Sequence, residues 1–224
     1  YYYGTVCASE EIFRATGMMN QAQALAAKKK VLRQSIKDRF MSENGFVDTD
    51  NSTHISMHTN ALALMFKIVD EDEAVKIISV LKEKRMKCGV YFAFFLLKGL
   101  FNYGETDFAW ELMTCDDIHS WQTMLNDGAT TCMEAWGVEQ KWNTSLCHPW
   151  ASAPVYMAAA EIFGLKPATP GWNKLSFAPK IPTGLDHGEL SLNIPQGGVT
   201  VKFKRENGQP VFDITVPDEV IIDE

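Results

Sequence analysis

The sequence is short of several things, and each shortage removes a class of function. No stretch is apolar and long enough to span a bilayer: the most hydrophobic run, Val90–Leu97, is too short and is followed by Lys98. Clustered basic residues are scarce. The net charge is −7, with 21 Lys and Arg against 28 Asp and Glu, whereas a phosphate-binding surface needs concentrated cations. The one basic run, Lys28-Lys29-Lys30, lies in an amphipathic helical pattern and reads as a solvated face. Neither nucleic acid nor a membrane is an expected partner. The five cysteines (Cys7, Cys88, Cys115, Cys132 and Cys147) are scattered and odd in number, so they form no disulfide framework. They also lack a compact C-x-x-C pair. Zinc held by Cys132, Cys147 and His148, with or without Cys115, is therefore disfavoured, and no metal or cofactor is expected. There is no G-x-S-x-G elbow, which removes the commonest serine-hydrolase layout. Sequence repeats, low-complexity segments and a visible signal peptide are missing too. The chain opens on Tyr1-Tyr2-Tyr3 in what already reads as a helix, so a fragment of a longer protein is expected and its compartment stays open.

What is present is first of all helix. Val6–Ala15 carries apolar and small residues at helical spacing and stops at Gly17. Met18–Phe40 is rich in Ala, Lys and Gln and ends at Glu43-Asn44-Gly45. Ser56–Val69 is apolar nearly all round; Asp70–Lys87 has one stripe through Val75, Ile78 and Leu81; Val90–Phe101 is apolar all round again; Glu105–Met113 is more charged. A helix without a polar face must be buried on every side, and a one-stripe helix covers something. This alternation of inner and outer helices suggests a two-layer array such as an α/α toroid, with an ordinary bundle as the alternative. Ala151–Phe163 is a further helix with Gly164 as its stop. Prolines then break up the chain, and short alternating runs follow at Leu190–Ile194, Val199–Arg205 and Val211–Val216. Asn207-Gly208 between the last two is a hairpin signal. The expected organisation is a helical domain over residues 1–164 and a small antiparallel β-sandwich domain over 165–224.

Chemistry concentrates in Asp127–Trp150, which holds three Trp, one His and two Glu between helices. Aromatic faces stack on the C–H faces of sugar rings, while carboxylates and imidazoles bind hydroxyls. On the residues alone, an aromatic-lined sugar cleft and a packed loop both stay open. The inner helices begin with polar or aromatic residues, at Thr53–Asn60, Cys88–Phe92 and Ser145–Trp150. Parallel inner helices would gather these starts at one mouth. Ser56, Thr59, Asn60 and Ser145 read as caps. His58 reads equally as structural or functional, and His148, beside the Trp cluster, as functional.

The run G-A-T-T-C-M-E-A-W, followed by K-W-N-T-S-L-C-H-P-W-A-S-A-P, closely resembles the catalytic region of bacterial α-L-rhamnosidases. S-M-H-T-N-A-L-A-L and G-V-Y-F-A-F-F-L-L-K-G-L look like inner-helix starts of the same family. The resemblance implies an (α/α)6 barrel followed by a β-sandwich, and hydrolysis of terminal α-L-rhamnosides with inversion. It makes Glu134 the general base that activates water, and His148 a contact to the bound sugar. Trp136 and Trp142 fall where cleft-lining aromatics belong, and His58 at an inner-helix start. Glu139 has no clear family counterpart and reads as a structural or surface residue. An inverting pair needs two carboxyl groups about 6.5–9.5 Å apart. The family's acid lies in an acidic upstream segment that has no match here, so it is expected before Tyr1. Two alternatives stand beside this reading: a non-catalytic carbohydrate-binding fragment, and a different (α/α)6 exo-glycosidase.

Overall fold

A computed structural model describes residues 1–223, in two compact units, Tyr1–Gly104 and Glu105 onward. Among the described residues no helix is long and apolar enough to cross a membrane.

The first unit opens with α1 (Tyr2–Ala15) and α2 (Met19–Phe40), which pack side by side. Gly17 lets the chain turn between them because its φ of 75° is open only to a residue without Cβ strain. Glu10 of α1 is buried, and its charge is met by Arg14 at 2.7 Å and by Lys29 of α2. A two-residue hairpin, β1 (Met41–Ser42) with β2 (Gly45–Phe46), leads to α3 (Met57–Met65), α4 (Glu71–Lys84) and α5 (Val90–Asn102). Helices α3 and α5 run parallel. At their starts the His58 and Phe92 rings meet at 4.4 Å; at their ends Asn102 Nδ2 donates to the Met65 carbonyl at 2.9 Å. The axes approach closely at Gly99, where a Cβ would stand 3.0 Å from Leu64 Cβ and 3.1 Å from the Ala61 carbonyl oxygen.

Both α3 and α5 are buried on several faces, while α4 buries one stripe, as inner and outer helices should. Two details differ from the sequence reading. The buried stripe of α4 is Ala74, Ile77, Ile78 and Leu81, and Val75 is 66% exposed. Helical periodicity turns position 75 away from 74, 77 and 81, so its apolar side chain is carried on the outer face. Asn60 is not a cap: it is fully buried, and its side chain accepts from the Phe46 N–H and donates to the Phe46 carbonyl, both at 3.0 Å. It thereby fixes β2 against α3. Ser56 does cap α3, accepting from the Thr59 N–H at 3.1 Å.

The second unit has α6 (Thr106–Thr114), α7 (Trp121–Asn126), a long irregular segment, and α8 (Ala153–Met157), which continues as a π-helical turn over Ala158–Ile162. Gly164 ends it with φ 69°, at a spot where a Cβ would come 2.2 Å from the Ala178 carbonyl carbon. Glu161 in the π turn is 1% exposed, and Lys166 at 2.8 Å and Lys180 at 3.4 Å meet its charge.

Strands follow: β3 (Leu165–Pro167), β4 (Lys174–Phe177), β5 (His187–Ile194), β6 (Gly197–Glu206), β7 (Gln209–Thr215) and β8 (Ile221–Asp223). β5-β6-β7 is an antiparallel meander whose last turn places Asn207 and Gly208 at φ 52° and 81°, the mirror-image turn that Asn-Gly favours. The second sheet has the order β3-β4-β8. Phe177 of β4 meets Phe212 of β7 edge-on at 5.2 Å, so the two sheets face each other through aromatic rings. The expected class, mainly helical with a small β domain, is what the chain adopts. One pairing departs from an all-antiparallel tail: β8 joins β4 in parallel, because the chain between β7 and β8 crosses from one sheet to the other instead of turning back. The change of texture at residue 165 falls inside the second unit.

Candidate active site

The segment after α7 is pinned at both ends. The Ala129 N–H donates to the Met124 carbonyl at 2.9 Å, with Gly128 at φ 81° making the turn. Thr130, Thr131 and Cys132 then border an apolar groove of about 450 Å³ that Trp110, Trp121 and Val155 also line. From there the chain extends and lies alongside a later stretch of itself. The Glu134 N–H donates to the Ser145 carbonyl at 2.9 Å, the His148 N–H to the Cys132 carbonyl at 2.8 Å, and Thr131 Oγ1 to the Leu146 carbonyl at 2.5 Å. This ladder is what brings Glu134 and His148 together, although a long loop separates them in sequence.

Alternation along the first strand of the ladder sorts its side chains. Met133 points into the core, with its N–H on Met124 Sδ at 3.4 Å, while the Glu134 side chain keeps 16% of its surface. Both Glu134 oxygens are held. Lys141 Nζ stands 2.5 Å from Oε1, and the Ser145 N–H donates to Oε2 at 3.1 Å. The Lys141 ammonium first, then the Ser145 N–H, hold this carboxyl below the usual carboxylate range, with the nearby His148 adding to the effect. The site therefore presents an anion that stays ionised into acid, beside an imidazole.

Lys141 is delivered by a moored loop. A short 3-10 turn, Val138–Gln140, precedes it; the Val138 N–H donates to Asp127 Oδ2 at 3.0 Å, and Gln140 Nε2 to the Ile118 carbonyl at 3.0 Å. Thr144 Oγ1 donates back to the Lys141 carbonyl at 2.6 Å. Nothing in the sequence singled out Lys141. A lysine in a polar loop looks like solvent-facing charge, and only the ladder reveals its partner.

The aromatic residues divide. Trp136 is 2% exposed and meets Trp121 edge-on at 4.9 Å, while Trp121 Nε1 donates to the Ala151 carbonyl at 2.8 Å. This corrects the expectation that Trp136 lines a cleft: its ring is closed into the core, where it supports the loop from beneath. Trp142 is 95% exposed, next in sequence to Lys141. The His148 ring lies against the half-exposed Trp150 at 4.2 Å. Ser145, read as a cap, instead serves Glu134 through its backbone N–H. Glu139 is exposed in the 3-10 turn. His58 belongs to the first unit, exposed on the first turn of α3 against Phe92. Among the described residues, no three His, Cys, Asp or Glu side chains converge as metal ligands.

Comparison with known proteins supplies the family. The bacterial alpha-L-rhamnosidase 6 hairpin glycosidase domain matches residues 1–162, and the bacterial alpha-L-rhamnosidase C-terminal domain matches residues 164–222. An alpha-L-rhamnosidase of Alteromonas sp. (strain LOR) is 27% identical over 215 residues, which is 90% of this chain and 23% of that protein. One from Formosa agariphila is 23% identical over 222 residues, 92% of this chain and again 23% of the relative. The chain thus spans under a quarter of the length of these curated relatives. Among solved structures, the alpha-L-rhamnosidase from Dictyoglumus thermophilum superposes with a TM-score of 0.84 at 21% identity, covering 98% of this chain and 25% of that one. The Streptomyces avermitilis alpha-L-rhamnosidase complexed with L-rhamnose gives 0.81 at 18% identity, with 99% and 22% covered. At such identities the structural likeness speaks for the fold, and the two domain matches speak for descent: the chain belongs to the bacterial alpha-L-rhamnosidases and carries sequence of their six-hairpin glycosidase domain and their C-terminal domain.

Proposed function

We propose that this chain contributes the general-base half of an inverting glycoside hydrolase that releases terminal α-L-rhamnose. Glu134 is the base. In the step assigned to it, a water oxygen bonds to the anomeric carbon as the glycosidic C–O bond breaks. Glu134 takes the water's proton, and a separate carboxylic acid gives its proton to the departing oxygen. The observation that carries the reading is the Glu134 carboxylate itself: ionised, partly open to solvent, and set by the 131–134 and 145–148 ladder beside His148. The rhamnoside specificity is taken from the family, because the named relatives are alpha-L-rhamnosidases.

His148 and Trp142 are assigned to sugar binding, the imidazole to a hydroxyl and the exposed indole to a ring face. His58 is assigned to the same role more remotely, from its place at the start of an inner helix. Residues 1–164 are assigned to the catalytic barrel and 165–224 to an accessory β domain. The general acid is assigned to the part of the full-length protein outside this chain, since the relatives are several times longer. On this reading residues 1–224 alone hold an incomplete catalytic pair.

The test is turnover of an aryl α-L-rhamnoside by the full-length protein, with the first-formed product anomer read by proton NMR. β-L-Rhamnose as first product, and its loss in Glu134→Gln, support the proposal. Full activity in Glu134→Gln removes the base assignment. Cleavage of a different glycoside only removes the rhamnoside assignment. A retained α anomer removes the inverting mechanism.

A further inference from the structure

From the geometry around Glu134 we infer that Lys141 is a positioning residue for the general base, clamping one carboxylate oxygen so that the other lone pairs face the water; this rests on the proposed role of Glu134. Three observations support it. Lys141 Nζ lies directly against Glu134 Oε1, an ammonium–carboxylate contact of the charge-assisted kind. The Ser145 N–H holds Oε2 at 3.1 Å, so the carboxyl plane is fixed at two points, not one. The loop that carries Lys141 is itself tied down, through Val138 to Asp127 and through Thr144 to the Lys141 carbonyl. A free surface lysine has no need of such moorings.

The chemistry gives the clamp a purpose. A carboxylate has about four lone-pair directions, so two contacts leave others open for a water proton. Fixing the carboxyl limits misalignment, and a misplacement of about 1 Å in a catalytic group costs on the order of 10²-fold. The ammonium also favours the ionised form. The groups that act on Glu134 are Lys141, the Ser145 N–H and His148; all three favour the anion and together outweigh partial burial, which opposes it. After each turnover, when Glu134 carries the proton taken from water, the same ammonium favours its release. Lys141 is partly exposed, so solvent and salt weaken the pair without abolishing it.

The experiment is the pH profile of kcat/KM for an aryl α-L-rhamnoside with the full-length protein, comparing wild type, Lys141→Met and Lys141→Arg. The acid limb reports ionisation of the free enzyme's base. Lys141→Met is expected to move that limb to higher pH and to lower kcat on the order of 10²-fold, with KM little changed. Lys141→Arg is expected to restore the limb. If Lys141→Met does not fold, Lys141→Gln, which keeps a polar stem and removes the charge, takes its place in the same comparison. An acid limb that stays in place in Lys141→Met or Lys141→Gln overturns the clamp. So does a Lys141→Arg variant no better than Lys141→Met. Full activity in Glu134→Gln is the separate result that removes the base assignment on which the clamp depends.

Discussion

The indole of Trp136 meets that of Trp121 edge-on, 4.9 Å between ring centres and 88° between planes, and this contact forms the floor of the loop that carries the site. Trp142 lies on the same loop with its ring almost wholly in solvent. The two tryptophans should therefore fail in different ways. Trp136→Ala is expected to cost about 3–5 kcal/mol of stability, read by urea unfolding. Trp142→Ala should leave stability within about 0.5 kcal/mol and raise KM for the rhamnoside instead. Equal stability losses would place both rings in one structural class and end the division.

Gly99 offers a test of the helical packing. A methyl group there would press within 3.0 Å of Leu64 Cβ and 3.1 Å of the Ala61 carbonyl oxygen, and backbone cannot swing aside as a long side chain can. Gly99→Ala should destabilise by about 1–3 kcal/mol, despite the better helix propensity of alanine. A stabilised variant would show that α3 and α5 are not this close.

Asp48 gives a pH test. Burial pushes its carboxyl up, but hydrogen bonds involving Ser56, Thr59 and His54 outweigh that and hold it down at about 2, against an ordinary 3.8. A depressed carboxyl stabilises the fold above its unfolded value. That contribution is lost as pH falls from near 4 through about 2. It corresponds to roughly 2 kcal/mol at neutral pH, before discounting for the partial exposure of the side chain. Asp48→Asn should thus be less stable than wild type at pH 6 and converge with it near pH 2, measured by thermal melts across pH. A constant difference at both ends would exclude the linkage.

Glu161 tests the joint between the last helix and the strands. Its carboxylate is buried and held by Lys166 and Lys180. Glu161→Ala should cost about 1–3 kcal/mol, with the lysines' own exposure keeping the penalty from being larger. The check is urea unfolding followed through the β-domain signals.

Much of this architecture was legible in the residues. The Asn207-Gly208 turn, the strands on either side of it, the Gly17 and Gly164 stops and the contrast between α4 and α5 all follow from local chemistry: positive φ, period two, and the width of an apolar face. The parallel join of β8 to β4 was not legible, because a three-residue edge strand carries no pairing signal of its own. In the site, Glu134 and His148 stood out by residue type and by resemblance. Trp136 was misread because composition cannot tell a buried indole from an exposed one in the same loop. Lys141 was overlooked because its importance lies entirely in a contact across the ladder.

The proposed role of Glu134 is to activate water, and azide rescue probes that role. Azide is a nucleophile that needs no base. In the full-length protein, Glu134→Ala should fold as wild type does and lose on the order of 10²–10⁴-fold in kcat on an activated aryl α-L-rhamnoside. Added azide should restore turnover and yield the inverted product, β-L-rhamnosyl azide. Wild-type turnover in Glu134→Ala without azide would remove Glu134 as the base, and an α-configured azide product would remove inversion.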